Sequence, residues 1–227
     1  MHPQLAPVLM MLLVTAASAS ADPAAPCVDP PPDLLPNTPY SAIRRLEAEN
    51  KKTGKHGWME VRTVLDAAGV LKIEVLSEGG SEQIRNKVLR AALQTERDIV
   101  LKRRLAHANT DAYECGQAQL ERSGLLRLPL VPKEKSRHLV VGDVFMQPAT
   151  RDLVSVKGQL AKSPSFWVSR VDVEWTYRRV YKSQVLPVAL QSTANVKMFG
   201  PSTFRMTYDY ESVNGEPILR LTRAASH

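Results

Sequence analysis

The stretch Phe166-Trp167-Val168-Ser169-Arg170-Val171-Asp172-Val173-Glu174-Trp175-Thr176-Tyr177-Arg178-Arg179 decides the fold. Trp167, Val171, Val173, Trp175 and Tyr177 fall on one face of an extended chain, and Arg170, Asp172, Glu174, Thr176 and Arg178 fall on the other. A period of two with one dry and one wet face is that of an antiparallel strand covered on one side. Phe204, Met206, Tyr208 and Tyr210 against Arg205, Thr207 and Asp209 repeat the pattern.

Working outward, the alternating runs after about Asn109 predict strands at 112–121, 124–131, 137–147, 152–160, 166–179, 184–198 and 202–211, separated by Pro, Gly or charged turns. Upstream, Met59, Val61, Thr63 and Leu65 alternate with Glu60, Arg62, Val64 and Asp66, and Ala67-Ala68-Gly69 leads into Val70–Leu76, which predicts a hairpin. Two segments read as helix. Thr38-Pro39 has the form of an N-cap followed by a first helical residue, opening a helix to about Lys52 with Tyr40, Ile43 and Leu46 inward and Ala42 beside them. Ser81 opens a longer one, about 81–105, with Ile84, Val88, Ala91, Ala92, Thr95 and Ile99 at helical spacing. Strands in series with helices confined to the first half exclude alternating βαβ units. The expected class is α+β, mostly β: a strongly curved antiparallel sheet, or half-open barrel, with two helices on its concave side.

The chain has 227 residues, 44% of them hydrophobic and 23% charged, with a formal net charge of +7. That is the composition of a folded protein of one or two domains, and it excludes collagen-like, disordered and polytopic membrane classes. Val8–Ala17 is an apolar run too short for a bilayer, and the small residues Ala19-x-Ala21 follow it, so 1–21 reads as a signal peptide and the protein as soluble and periplasmic after cleavage. No Asp, Glu, Lys or Arg occurs in 1–21, so all of the positive charge lies beyond it. Residues 22–39 hold seven prolines (Pro23, Pro26, Pro30, Pro31, Pro32, Pro36 and Pro39) and read as an extended lead. A single domain is expected over 40–215, with a C-terminal tail at 216–227. Cys27 and Cys115 are the two cysteines; they either form one disulfide in an oxidising compartment or stay unpaired.

Catalytic patterns are absent from the sequence. The histidines at 2, 56, 107, 138 and 227 have no metal-ligand spacing, and there is no Cys-x-x-Cys and no Gly-x-Ser-x-Gly. Gly54-Lys55 is followed by His56 where a phosphate loop needs Ser or Thr. Asp172 and Glu174 lie beside Arg170 and Arg178 as a solvated charge ladder rather than an acid/base pair. The outer face of the second helix carries Arg85, Lys87, Arg90, Arg97, Lys102, Arg103 and Arg104. Arg97, Lys102, Arg103 and Arg104 are candidates for contact with an anionic membrane surface, the plain alternative being a solvated helix face. Nucleic acid is not an expected partner, because aromatics are only 6% and no groove-reading motif occurs.

Leu139–Tyr210 resembles a family of uncharacterised exported bacterial proteins. The resemblance rests on VVGDVFMQPATRDLVSVKGQLAKSPSFWVSRVDVEWTYRRV and LPVALQSTANVKMFGPSTFRMTYDY, with the turn Gly158–Trp167, Leu186-Pro187 and Phe199-Gly200 as shared marks. EVLSEGGSEQIRNKVLRAALQTER fits the same family's strand-to-helix passage, so the similarity covers about 57–211. More distantly, the element order is similar to that of the periplasmic lipoprotein-sorting (LolA-like) carriers. That likeness implies a half-open barrel sheltering acyl chains under helices, with no enzymatic step and no cofactor. The expected function is a binding or carrier protein for an apolar ligand, a lipid or lipoprotein acyl chain, with Trp167, Val171, Val173, Trp175, Tyr177, Phe204, Met206 and Tyr208 lining the cavity. The alternative is an envelope interaction or sensor domain that binds a protein partner and has no ligand cavity.

Overall fold

The computed structural model describes residues 34–105, 112–114, 116–166, 168–198 and 200–218, and the side chains of 103–105 are outside that description. The expected signal peptide, most of the Pro-rich lead, Cys27, Cys115 and Trp167 therefore lie outside the described residues.

The chain is mostly strand. β1 (Tyr40–Asn50), β2 (Lys55–Leu65) and β3 (Leu71–Gly80) form a meander. The helical segment follows as α1 (Glu82–Ile84), a π-helical stretch (Arg85–Leu89) and α2 (Arg90–Leu105). Then come β4 (Gln119–Leu120), β5 (Leu126–Leu130), β6 (Val140–Met146), β7 (Leu153–Leu160), β8 (Val168–Tyr181), β9 (Gln184–Val196), β10 (Gly200–Val213) and β11 (Glu216–Pro217). All pair antiparallel in one sheet, in the order β3-β2-β1-β10-β9-β8-β7-β6-β5-β4, with β11 beside β10. The sheet does not close, since β3 and β4 are its two ends.

Two expectations need correction. Residues 40–52 are not a helix: Tyr40–Asn50 is β1, a central strand hydrogen-bonded to β2 on one side and β10 on the other. Its burial alternates strictly, with Tyr40, Ala42, Arg44, Leu46, Ala48 and Asn50 inward, because ladders on both sides hold the strand, with one register shift at Ser41/Ala42, while period two lays those side chains on the core. The helical reading put Tyr40, Ile43 and Leu46 inward with Ala42 beside them; the strand keeps Tyr40, Ala42 and Leu46 inward and turns Ile43 to the other face. Second, 112–121 is strand only at Gln119–Leu120, with a bridge between Tyr113 and Pro132. One helical segment, not two, packs on the sheet.

That segment lies over β1, β2 and β3. Leu89 and Leu93 are buried beneath it, each worth about 1.5–3 kcal/mol. Its first turn fits because residue 57 is glycine: a Cβ there would meet Ile84 Cγ2 at 2.9 Å. A second close approach joins β6 and β7, where Gly142 and Gly158 face each other and a Cβ on Gly142 would stand 2.1 Å from the Lys157 carbonyl oxygen. No described helix is long and apolar enough to cross a membrane.

Candidate functional site

Register places one apolar residue from each strand in line. Leu128, Val144, Val156, Trp175, Leu190, Met206, Leu46 and Met59 are successive cross-strand partners from β5 to β2. The residues one position along, Asp143, Lys157, Glu174, Gln191, Arg205 and Glu47, form the matching row on the polar face. From β5 to β2 one face of the open sheet thus carries a continuous apolar row.

Two buried clusters occupy that face. One gathers β1, β2, β9 and β10 under Leu89 and Leu93; the other gathers Leu128, Leu130, Val140, Val144, Met146, Leu153, Val156 and Tyr177 from β5 to β8. Trp175 packs against both. Of the residues expected to line a cavity, Tyr177, Met206 and Tyr208 are buried, whereas Val171, Val173, Trp175 and Phe204 are half-buried. Val171, Val173, Trp175 and Tyr177 share the apolar face through the pleat of β8, and Phe204, Met206 and Tyr208 through that of β10. The helix lies chiefly over β1–β3, and β8 is three strands away from β1 along the sheet.

At Tyr177 the end of the lead packs on the sheet. The Tyr177 hydroxyl donates to the Leu34 carbonyl at 2.8 Å, and a cavity of about 260 Å³ lies between Leu35–Thr38, Tyr177 and Gln184–Pro187.

Sequence reasoning missed the most unusual residue on the apolar face, Arg44. Its side chain is fully buried, and its Nη2 donates to Glu96 Oε2 of α2 at 2.6 Å. The guanidinium also lies over the Tyr208 ring, 4.6 Å from its centroid. Burial, the largest single influence, pulls this guanidinium's pKa down, but the Glu96 carboxylate together with the Tyr208 and Tyr40 oxygens outweighs it, so the net direction is upward and Arg44 keeps its charge. Arg44 Nε and Nη1 and the Tyr208 hydroxyl have no hydrogen-bond partner among the described residues. Tyr40, Tyr208 and Tyr210 surround the pair. Burial raises all three phenols, Tyr40 to about 12. Tyr210 spends its proton on the Pro187 carbonyl at 2.7 Å and stacks against Tyr208. The signal that could have found Arg44 is its place in the alternation Tyr40, Ala42, Arg44, Leu46, Ala48, visible once 40–50 is read with period two.

On the polar face, an open cleft of about 540 Å³ runs over β6–β9. Its charges are mutually paired: Arg170 with Asp172 at 2.7 Å and Lys157 with Glu174 at 2.9 Å. Asp172 has the expected partner Arg170 on its own strand, whereas Glu174 pairs across to Lys157 of β7. On the helix, Arg97 and Lys102 are exposed, and the side chains of Arg103 and Arg104 lie outside the described residues. Arg85 and Arg90 both bond to Glu78, and the hydrogen bond from Arg90 leads in holding that carboxyl below its usual range.

Comparison with known proteins finds no matching family model and no matching curated protein. The functional reading therefore rests on the sheet itself.

Proposed function

We propose that this chain is a non-enzymatic periplasmic carrier or binding protein whose sheet curves into a half-open barrel and holds an apolar ligand, a lipid or lipoprotein acyl chain, against its apolar face. The observation that carries the reading is the continuous apolar row from Leu128 to Met59, roofed by the helix chiefly at its β1–β3 side, with Val171, Val173, Trp175 and Phe204 left half-buried beyond it. Apolar surface that a fold keeps partly open in water is unfavourable by about 25 cal/mol per Å², and a hydrocarbon ligand would remove that cost. The close approach at Gly142 and Gly158 suits a sheet that must bend. Such a protein would be exported by its signal peptide and would work without a cofactor.

Native mass spectrometry of the full-length expressed protein, purified without detergent, tests this together with uptake of a fluorescent fatty acid. The expected result is a bound lipid mass, uptake by the wild type, and loss of uptake in Trp175→Ala with only a modest loss of stability. Complete truncation of a core Trp costs about 3–5 kcal/mol, and a half-buried one less. An apo mass together with no uptake by the wild type overturns the proposal. Outright unfolding of Trp175→Ala would make that residue core alone and favour the interaction-domain alternative.

A further inference from the structure

The strand order brings four strand-to-strand connections to one end of the sheet, described at 51–54, 131–139, 161–166 and 197–198, beside the passage from β3 into the helix. They are laced to one another. Lys52 Nζ donates to the Met198 carbonyl at 2.9 Å, Lys197 Nζ stands 3.9 Å from the centroid of the Phe166 ring, and the Ala161 amide donates to the Leu139 carbonyl at 2.8 Å. The result is one surface rather than four separate tips.

Two large apolar side chains project from it. Phe166 is 77% exposed and Met198 76%, the highest values among the exposed large hydrophobic side chains of the described residues. The cations around them are exposed as well. Lys51 and Lys52 come from the first connection, Lys133, Lys135 and Arg137 from the second, Lys162 from the third and Lys197 from the fourth, against the carboxylates of Glu134 and, where β3 passes into the helix at this end, Glu82. At the opposite end the connections 66–70, 121–125, 147–152, 182–183 and 214–215 balance Arg122, Arg151 and Lys182 with Asp66, Glu121 and Asp152. The positive charge is therefore concentrated where the apolar tips are.

We propose that this end docks on an anionic lipid bilayer, with Phe166 and Met198 inserted among the acyl chains at the headgroup boundary and the surrounding lysines against lipid phosphates. An aromatic ring and a flexible thioether at the interface, ringed by cations, match the chemistry of a negatively charged membrane surface. The helix is a poorer docking face, because Glu78 takes up Arg85 and Arg90 and Glu96 and Asp98 interrupt its remaining cations. This inference stands independently of whether the apolar face carries a ligand.

The test is sedimentation of the full-length protein with vesicles of phosphatidylglycerol and phosphatidylcholine, and with pure phosphatidylcholine. Binding is expected to the anionic vesicles alone and to weaken with salt. Neutralising Lys162 and Lys197 (Lys162→Gln, Lys197→Gln) should lower the partition coefficient by about 25-fold, at about fivefold per cation. Phe166→Ser with Met198→Ser, both at exposed tips and therefore compatible with folding, should lower it further at fixed charge. Arg97→Gln with Lys102→Gln on the helix should change it less than twofold. Equal binding to neutral vesicles, or loss of binding in the helix variant with retention in the tip variants, overturns the proposal. So does binding to polyglutamate or nucleic acid by a protein that ignores the vesicles.

Discussion

Removing Glu96 from beneath the helix leaves Arg44 as a fully buried cation without its anion, so Glu96→Ala tests the central contact between α2 and the sheet. Loss of one partner from a buried pair costs about 3–5 kcal/mol. Here the Glu96 side chain retains 11% exposure, so water can reach part of the site and the lower end, about 3 kcal/mol, is expected. An exposed pair would give about 0–1 kcal/mol. Domain stabilities are about 5–15 kcal/mol, so the loss is large and should appear as a shift of the urea midpoint at constant slope. Arg44→Met should cost less, because the stranded group is then a carboxylate with some access to water. The double variant Arg44→Met with Glu96→Leu removes both charges and keeps apolar volume, and it should recover to within about 1 kcal/mol of wild type or exceed it. With Glu96→Leu as the matching single variant, expected to cost about as much as Glu96→Ala because it also strands Arg44, the coupling energy from the cycle is about 2 kcal/mol or more. If Glu96→Ala falls within about 0.5 kcal/mol of wild type, or the coupling is near zero, Arg44 does not depend on Glu96 and the account of the site is wrong.

The buried phenols predict alkaline unfolding. Their folded pKa values are raised above the unfolded value near 10, so the folded state binds more protons between pH 10 and 12 and stability falls as pH rises through that window, by about 1.4 kcal/mol per pH unit for each of Tyr40, Tyr208 and Tyr210. Tyrosinate absorbance should rise together with loss of the far-ultraviolet strand signal; titration of these phenols at pH 10 in an intact fold would contradict their burial. Gly142→Ala should destabilise by more than 2 kcal/mol, because the added methyl meets backbone at 2.1 Å on the neighbouring strand. At Gly54, where nothing stands within 4 Å and only a φ of +65° is at stake, alanine should cost about 1–2 kcal/mol, and comparison of the two denaturation midpoints checks the difference.

Alternation by itself settled most of the strands. In 166–179 and 204–210 charged residues break every helical stripe, so only period two separates the apolar residues from the polar ones, and β8 and β10 lie where that pattern puts them. The helix at 82–105 was equally legible, since Ile84 and the residues after it recur at helical spacing behind a Gly-Gly-Ser break. Tyr40–Asn50 was not legible, because Tyr40, Ile43 and Leu46 satisfy a helix and Tyr40, Ala42, Leu46 and Ala48 satisfy a strand. Hydrogen bonding to β2, adjacent in sequence, and to β10, more than 150 residues away, decides between them, and a local window contains neither partner. The same pairing decides the site. Arg44 looks like any surface arginine until β1 forms and turns it inward, and the carboxylate that keeps it charged comes from 52 residues further along the chain. Nor does any single loop show the basic apolar end: its cations are scattered from Lys51 to Lys197, and strand order alone gathers them around Phe166 and Met198.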